Sequence, residues 1–358
     1  MSSISTRKKD HIDLTLSETS QYRRPPGFEK YQLKHNALRE CGLDDISFKS
    51  HLLGRDFDFP LFISSMTGGH GEATNLNADI ATFCEQFNIP FGVGSQRAML
   101  KDSTHEKSFT IVRDKAPNAF IAANIGGAQL IGGMTTYGLK TIISSIQANA
   151  IIVHLNPLQE LIQPEGDVQF SGVLKGIEQL AKHSSVPIIV KETGAGIDSS
   201  VAKRLLNVGV KGIDIAGVGG TSWSRVEAAR IPQKRNREMV ANNLTLQYEQ
   251  EMQERFNEWG NNTVFCLESL RELEWERKFE IIASGGIRHA QDMIKACCLG
   301  AHFVAVAQPV VRVLKEEGIK GLEKWYFLWK KEATMIMTLL GVCEWRHLSE
   351  EHIIPQFS

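Results

Sequence analysis

Eight short apolar runs punctuate this 358-residue chain: PLFISS (60–65), FGVGS (91–95), FIAANI (120–125), IIVHLN (151–156), PIIVKE (187–192), GIDIAG (212–217), EIIASG (280–285) and HFVAVA (302–307). Most are continuous rather than alternating, as expected of strands covered on both faces. Between most of them lies one helix-length stretch with apolar residues at a 3.6-residue period. In SSVAKRLLNVGV, Val201, Leu205 and Leu206 recur on one face behind a Ser N-terminus. Alternating strand and helix implies parallel strands joined by right-handed crossovers. Eight such units predict a closed (β/α)8 TIM barrel, an α/β fold. A doubly wound open sheet would carry fewer strands and an early G-x-G-x-x-G turn; FGVGS and AGVGGTS lack that spacing and come too late.

Two segments fall outside the pattern. Residues 1–58 read as an N-terminal extension wrapped on a single barrel spanning 59–358. Residues 223–278 form a charged, helix-prone insertion after the sixth strand, either a mobile lid or a solvated helical excursion. In GLEKWYFLWKKEATMIMTLLG, Trp325, Leu328, Trp329 and Met335 recur at helical spacing, which suits core packing or a subunit contact. A net charge of -1 with 23% charged residues argues against a non-specific nucleic-acid binder. The six cysteines include no C-x-x-C pair, and adjacent Cys297 and Cys298 do not easily join; all six read as reduced core thiols of a cytoplasmic protein. MSSISTRKKDHIDL has no apolar h-region, and no run approaches the ~20 apolar residues of a membrane span.

In such a barrel the chemistry sits at the carboxyl ends of the strands. In chain order these ends carry Ser64, Ser65, Met66, Thr67 and Gly68; Ser95, Gln96 and Arg97; Asn124; His154, Asn156, Gln159 and Glu160; Lys191 and Glu192; Gly219, Gly220 and Thr221; Gly285 and Gly286; Ala307 and Gln308. The last two loops suit a phosphate, because exposed backbone N–H groups and helix N-termini favour an anion. Such a phosphate would anchor a cofactor whose ring lies across the mouth. Asn124 and the hydroxyls suit the polar edge of an isoalloxazine, and Lys191 its pyrimidine end. Any one of these residues reads equally as a structural hydrogen-bonder; their spread over different strand ends carries the inference. Arg97 and Ser95, with Arg7, Lys8 and Lys9, suit a second anion, although TRKKDH alone also reads as a solvated basic terminus. Glu160 or Glu165 is placed to hold Mg2+, which takes carboxylate, phosphate and water oxygens. His154 also reads as a satisfied core histidine.

These residues resemble the flavin-dependent type 2 isopentenyl-diphosphate isomerases. The resemblance runs from RKKDH (7–11) to AQPVV (307–311) through SSMTGG, GVGSQR, ANIGG, HLNPLQELIQPEGD, VKETGAGI, GVGGTSW and ASGGIR. RKKDH and HLNPLQE…PEGD are its specific markers. One departure is SSMTGG, where many relatives place Ala before Met-Thr-Gly. The resemblance implies a TIM barrel that holds FMN and interconverts isopentenyl and dimethylallyl diphosphates, with Mg2+ on the diphosphate and NADPH to reduce the flavin. It implies FMN contacts at Ser65, Met66, Thr67, Ser95, Asn124, Lys191, Thr221, Gly285, Gly286, Ala307 and Gln308. Substrate contacts fall on Arg7, Lys8, Ser95, Gln96, Arg97 and Gln159, the catalytic set on His154, Asn156, Gln159 and Lys191, and Mg2+ on Glu160. A homo-oligomer, tetramer or octamer, is also implied. Protonation of the alkene is expected to lead, because an allylic C–H is a very weak acid, with an electron-rich flavin stabilising the cationic centre. Two other readings remain: an FMN barrel of the 2-hydroxy-acid oxidase or inosinate dehydrogenase kind, using Arg288 and His289, and a non-catalytic flavin- or phosphate-binding scaffold.

Overall fold

The computed structural model describes residues 4–69, 71–230, 244–271, 273 and 279–356. Each of the eight apolar runs holds one strand: Leu61–Ile63, Phe91–Gly92, Ile121–Gly126, Ala150–Leu155, Ile188–Glu192, Gly212–Asp214, Glu280–Ala283 and Phe303–Val306. The strands pair in parallel in chain order, and the eighth closes on the first through Val304–Leu61 and Val306–Ile63 partners.

The barrel explains why the runs are continuous. Alternate residues on each strand point in and out. Phe62, Phe120, Ala122, Ala150, Ile152, Ile189, Ile282, Phe303 and Ala305 form one core cluster inside the barrel. Their strand neighbours Ile63, Ile121, Ile151, Val190, Ile213, Ile281 and Val304 form another, against the helices. Both faces are therefore apolar until each strand reaches its carboxyl end.

The N-terminal extension enters the architecture at three levels. Its first helix, Ile4–Thr15, lies on the carboxyl end of the barrel against the helix Trp223–Arg230. Tyr31–Leu33 pairs antiparallel with Ile353–Pro355. A hairpin of Ser50–Leu52 and Arg55–Phe57 closes the opposite end. There Leu52 and Phe57 join the inner core, and Phe57 meets Phe120 and Phe303 edge-on, at centroid distances of 5.9 and 5.6 Å. One end is thus plugged by hydrocarbon, and polar lumen residues remain only at the other.

Three local expectations change. The helix Ser199–Asn207 is capped by Asp198, whose carboxylate accepts from Val201 N at 3.1 Å, rather than by a serine. Within 223–278, the helix Thr263–Leu270 packs on Ser199–Asn207, so part of the insertion serves as the barrel's own outer layer. Residues 231–243, 272 and 274–278 of the insertion, on which the choice between lid and helical excursion turns, lie outside the described residues. The final helix, Gln308–Leu340, breaks at Gly318 (φ 68°) and divides its apolar residues. Trp329 is buried, whereas Leu328 is 66% and Met335 51% exposed.

The cysteine expectation is corrected as well. Cys41 and Cys343 form a disulfide, with a Cα separation of 5.8 Å across 302 residues of sequence. No spacing rule reaches that far. The pair meets because the extension runs beside the chain leaving the final helix, where Ser47 N donates to Cys343 O at 2.7 Å and Trp345 N to Ser47 O at 2.9 Å. Cys84, Cys266, Cys297 and Cys298 are free and buried. Burial pushes their thiols up, those of Cys266 and Cys298 to about 12. No helix among the described residues is long and apolar enough to cross a membrane.

Candidate active site at the barrel mouth

The inward register that carries Ala122, Ile152, Ile189 and Ile282 continues, two residues on, to Asn124, His154, Lys191 and Ser284. Gly126, His154, Lys191 and Asp214 are successive register partners on the third to sixth strands. A polar ring thus sits directly above the apolar filling. Two clefts of about 830 and 1110 Å³ open above it. Both are lined by Thr15, Ser65, Met66, Lys191, Thr193 and Trp223. They are halves of one bipartite site with Lys191 at the junction.

The first cleft lies over the sixth, seventh and eighth strand ends. Ser65, Met66, Lys191, Thr221, Gly285, Gly286, Ala307 and Gln308 line it, together with Ser284, Arg288 and Gln21. Gly285 (φ 101°) and Gly286 (φ 76°) take conformations that favour glycine. A Cβ on Gly285 would lie 2.0 Å from Gly217 O, and one on Gly286 would lie 2.6 Å from Gly219 O. These glycines therefore let two loops meet backbone to backbone, and Thr263 Oγ1 adds a bond to Gly285 O at 2.6 Å. Gly285→Ala is expected to destabilise the fold by about 2–5 kcal/mol, from left-handed strain plus overpacking, and to lose cofactor retention. Thermal unfolding and absorbance after gel filtration measure the two effects.

Two observations favour a bound flavin here. Ser65 Oγ is buried at the junction of the clefts without a hydrogen-bond partner among the described residues, so a ligand with a polar edge would satisfy it. The final helix starts at Gln308, on the cleft wall, with Pro in its first turn. Its N-terminal amides, with the loop glycines on the same cleft, suit an anion.

The second cleft collects Ser95, Arg97, Asn124, His154, Asn156, Gln159 and Glu160, with His11, Ile12, Gln129 and Gln163. His154 Nδ1 lies 2.8 Å from Asn124 Oδ1, which orients the ring within the lumen. Asn156 Nδ2 donates to Gln159 Oε1 and Glu160 Oε1, both at 3.0 Å. Glu160 Oε2 accepts from Asp167 N at 2.7 Å. Arg97 NH1 donates to Asp167 Oδ2 at 2.7 Å, so that guanidinium shares its charge with a carboxylate that is 41% exposed. Arg7 and Lys8 lie on the N-terminal helix, with side chains outside the described residues.

Two expected residues point elsewhere. Thr67 is buried, and its hydroxyl bonds Asn77 Oδ1 beneath the loop. Gln96 is fully buried: Nε2 donates to Ile142 O at 3.2 Å and Oε1 accepts from Asn124 N at 3.1 Å. Their side chains brace the strand ends, because a loop's carboxyl-end position does not say which way each residue faces. Glu165 is engaged by both terminal nitrogens of Arg230, at 2.8 and 2.9 Å. His289 is exposed at the start of the next helix and lies on neither cleft.

Glu227 is the functional candidate that strand-end reading missed. It is fully buried on the Trp223–Arg230 helix. Its Oε1 accepts from Gln159 Nε2 at 2.9 Å and lies 2.9 Å from His11 Nε2. Its Oε2 accepts from Arg230 Nε at 2.8 Å. Burial alone would raise this carboxyl, but His11, Gln159 and Arg230 outweigh it and hold it below the usual range. One carboxylate therefore ties the N-terminal helix to the cleft floor. The only sequence signal was an acidic residue four positions after the aromatic of GTSW. Glu227→Ala is expected to cost about 3–5 kcal/mol, since it strands buried charged partners; urea unfolding checks this. Because the folded value is depressed, the stabilisation is present at neutral pH and disappears as pH falls through that value.

A family model described as FMN-dependent dehydrogenase matches residues 158–355. A protein of Chlorobium luteolum named isopentenyl-diphosphate delta-isomerase is 40% identical over 344 residues, covering 95% of this chain and 92% of that one. One of the same name from Pyrococcus furiosus is 39% identical, covering 98% and 85%. Among solved structures, the flavin-binding domain of baker's yeast flavocytochrome b2 superposes with a TM-score of 0.68 at 19% identity, covering 97% of this chain and 82% of that one. An oxidised active mutant of (S)-mandelate dehydrogenase gives 0.65 at 13% identity, covering 97% and 99%. At such identities the structural likeness speaks for the fold.

Proposed function

Because the chain belongs to the isopentenyl-diphosphate delta-isomerases, within the FMN-dependent dehydrogenase family, we infer that it interconverts isopentenyl and dimethylallyl diphosphates with FMN as its cofactor. The observation that carries this reading is the bipartite mouth. A glycine-lined anion cradle and a separate cleft of amides, carboxylate and arginine share the Lys191 floor.

Ser65, Met66, Thr221, Gly285, Gly286, Ala307 and Gln308 would hold FMN in the first cleft, together with Lys191 at the junction and Asn124 and Ser95 in the second cleft beyond it. When bound and reduced, FMN supplies an electron-rich face and an exchangeable proton. The diphosphate would lie in the second cleft, held by Arg97, Ser95 and Gln159. Positions 7 and 8 precede His11 and Ile12 by four residues on one helix, and His11, Ile12 and Thr15 line this cleft. Arg7 and Lys8 would complete the clamp and fix the alkene over the reacting face. Ile12 and Trp223 line the same cleft and would keep water from a cationic centre. Asn156 and Glu227 hold the two ends of the Gln159 amide, and Asn124 orients the His154 ring.

Glu160 would hold Mg2+ with diphosphate oxygens and water. Shifting a double bond involves no net redox change, so NADPH would prime the flavin rather than be consumed. The exposed Phe327, Leu328, Met335 and Leu339 of the last helix support a homo-oligomer, for which tetramer or octamer is our reading. We place the enzyme in the cytoplasm.

The 2-hydroxy-acid reading is less well supported, since His289 stands outside the mouth and Arg288 NH2 bonds Gln21 Oε1 at 3.0 Å. The test is an absorption spectrum of the purified protein followed by an anaerobic isomerase assay with dithionite-reduced FMN and Mg2+. Yellow protein that equilibrates the two diphosphates without consuming oxygen is expected. Failure to take up FMN, or oxygen consumed per product formed, overturns the reading.

A further inference from the structure

Asp214 has no place in the chemistry above, yet it is a carboxylate buried in the barrel lumen. It ends the sixth strand, in register with Lys191 on one side and Ile282 on the other. It is 4% exposed and Lys191 6%. Its Oδ2 lies 4.0 Å from Lys191 Nζ, and its Oδ1 accepts from Ser284 Oγ. Lys191 Nζ also donates to the Glu192 carbonyl. Lys191 and Ser284 both line the first cleft and Asp214 does not, so it stands one layer behind them.

Such a carboxylate is costly to bury without partners. Burial pushes it above its usual range, and Lys191 pulls it back. The other acid nearby is Glu192, one residue along the fifth strand and so on the outward face. There its Oε2 is held by backbone N–H groups of Thr193, Gly194 and Gly196 at 2.7, 2.5 and 3.3 Å. Glu192 is thus hydrogen-bonded by its own loop. Asp214 is the carboxylate that shares the lumen with Lys191.

We propose that Asp214 is a positioning residue for the cofactor: through Lys191 and Ser284 it sets the charge that the barrel floor presents to the flavin ring, and so how readily bound FMN stays reduced. The proposal rests on the FMN reading. A lysine alone would present an uncompensated buried charge and favour the anionic reduced ring. The carboxylate behind it tempers that field at short range and low dielectric. Ser284 fixes the carboxylate's direction, so that Lys191 rather than solvent is its ionic partner.

The test is the midpoint potential of bound FMN, measured by dye-coupled anaerobic titration of the holoenzyme. Asp214→Asn keeps the shape and an acceptor for Ser284 but removes the charge. The reduced-to-oxidised ratio at fixed potential is expected to rise at least tenfold, a positive shift of about 30 mV for a two-electron couple. A ratio within twofold of wild type, or a negative shift, overturns the proposal. Should Asp214→Asn fail to fold, Ser284→Ala carries the test. Loss of its hydroxyl favours the neutral carboxyl, so a smaller rise, about threefold, is expected; no rise overturns the proposal. Wild-type protein that takes up no FMN sinks the cofactor reading and this one together. FMN bound at an unaltered potential in the variant sinks this one alone.

Discussion

Glu160→Gln is expected to lower Mg2+-dependent turnover on the order of 10²–10³-fold, the scale seen when a positioned electrostatic group is removed, while the protein keeps its FMN. The carboxylate is 9% exposed and faces the second cleft, away from the glycine cradle. Each oxygen already accepts one N–H, from Asn156 Nδ2 at 3.0 Å and from Asp167 N at 2.7 Å, and each retains a lone pair for a cation. A glutamine replaces one acceptor with an NH2 group that must face one of those donors, so the variant loses both the charge and the local fit. With Glu160 as the one carboxylate assigned to the ion, Mg2+ is expected to arrive with the diphosphate oxygens it prefers, and isothermal titration of Mg2+ into substrate-free protein should show only weak binding. Rates at limiting and saturating Mg2+, with flavin absorbance as control, decide the assignment. Full activity of the variant at limiting Mg2+ would remove Glu160 from the metal site.

The second large effect concerns the N-terminal helix. Replacing Arg7 and Lys8 together by Gln is expected to raise KM by about 10² or more, because a charge-assisted hydrogen bond contributes roughly 1.5–3 kcal/mol. Lys9→Gln should change it less than twofold. Arg7 and Lys8 are the two cations assigned to the substrate, and Lys9 is the neighbouring charge outside that assignment. His11, Ile12 and Thr15 of the same helix line the second cleft. His11 is held by Glu227, so the helix itself stays docked when the two cations are lost. Steady-state kinetics at constant ionic strength measure the effect. Equal responses from all three positions would mean that the arm acts only through its net charge, and the set of contacts assigned to it would fall.

The barrel was legible because its signal is local. A strand apolar on both faces leaves a continuous run, and its carboxyl end is marked where hydrocarbon gives way to polar or glycine residues. Read in this way, Ser65, Lys191, Gly285 and Gln308 come together on one cleft, and His154, Asn156, Gln159 and Glu160 on the other. Thr67 and Gln96, read by the same rule, line neither cleft. Past the last ladder bond, the alternation that aims a side chain into the lumen no longer holds, and both hydroxyl and amide turn into the wall. Asp214 was overlooked because it lies on the ladder itself, inside the apolar run GIDIAG.

Composition, periodicity and the order of the apolar runs determined the barrel, the chain order of its strands and the residues that stand at their carboxyl ends. All of these are properties of neighbours along the chain. Only the tertiary structure decided what meets across it: Glu227 joining His11 to Gln159, Asp214 behind Lys191, Phe57 plugging the floor and Cys41 reaching Cys343. Those pairings follow from how an extension and an insertion fold back over a closed barrel. Contacts between residues tens to hundreds of positions apart leave no periodic trace in the segments that make them.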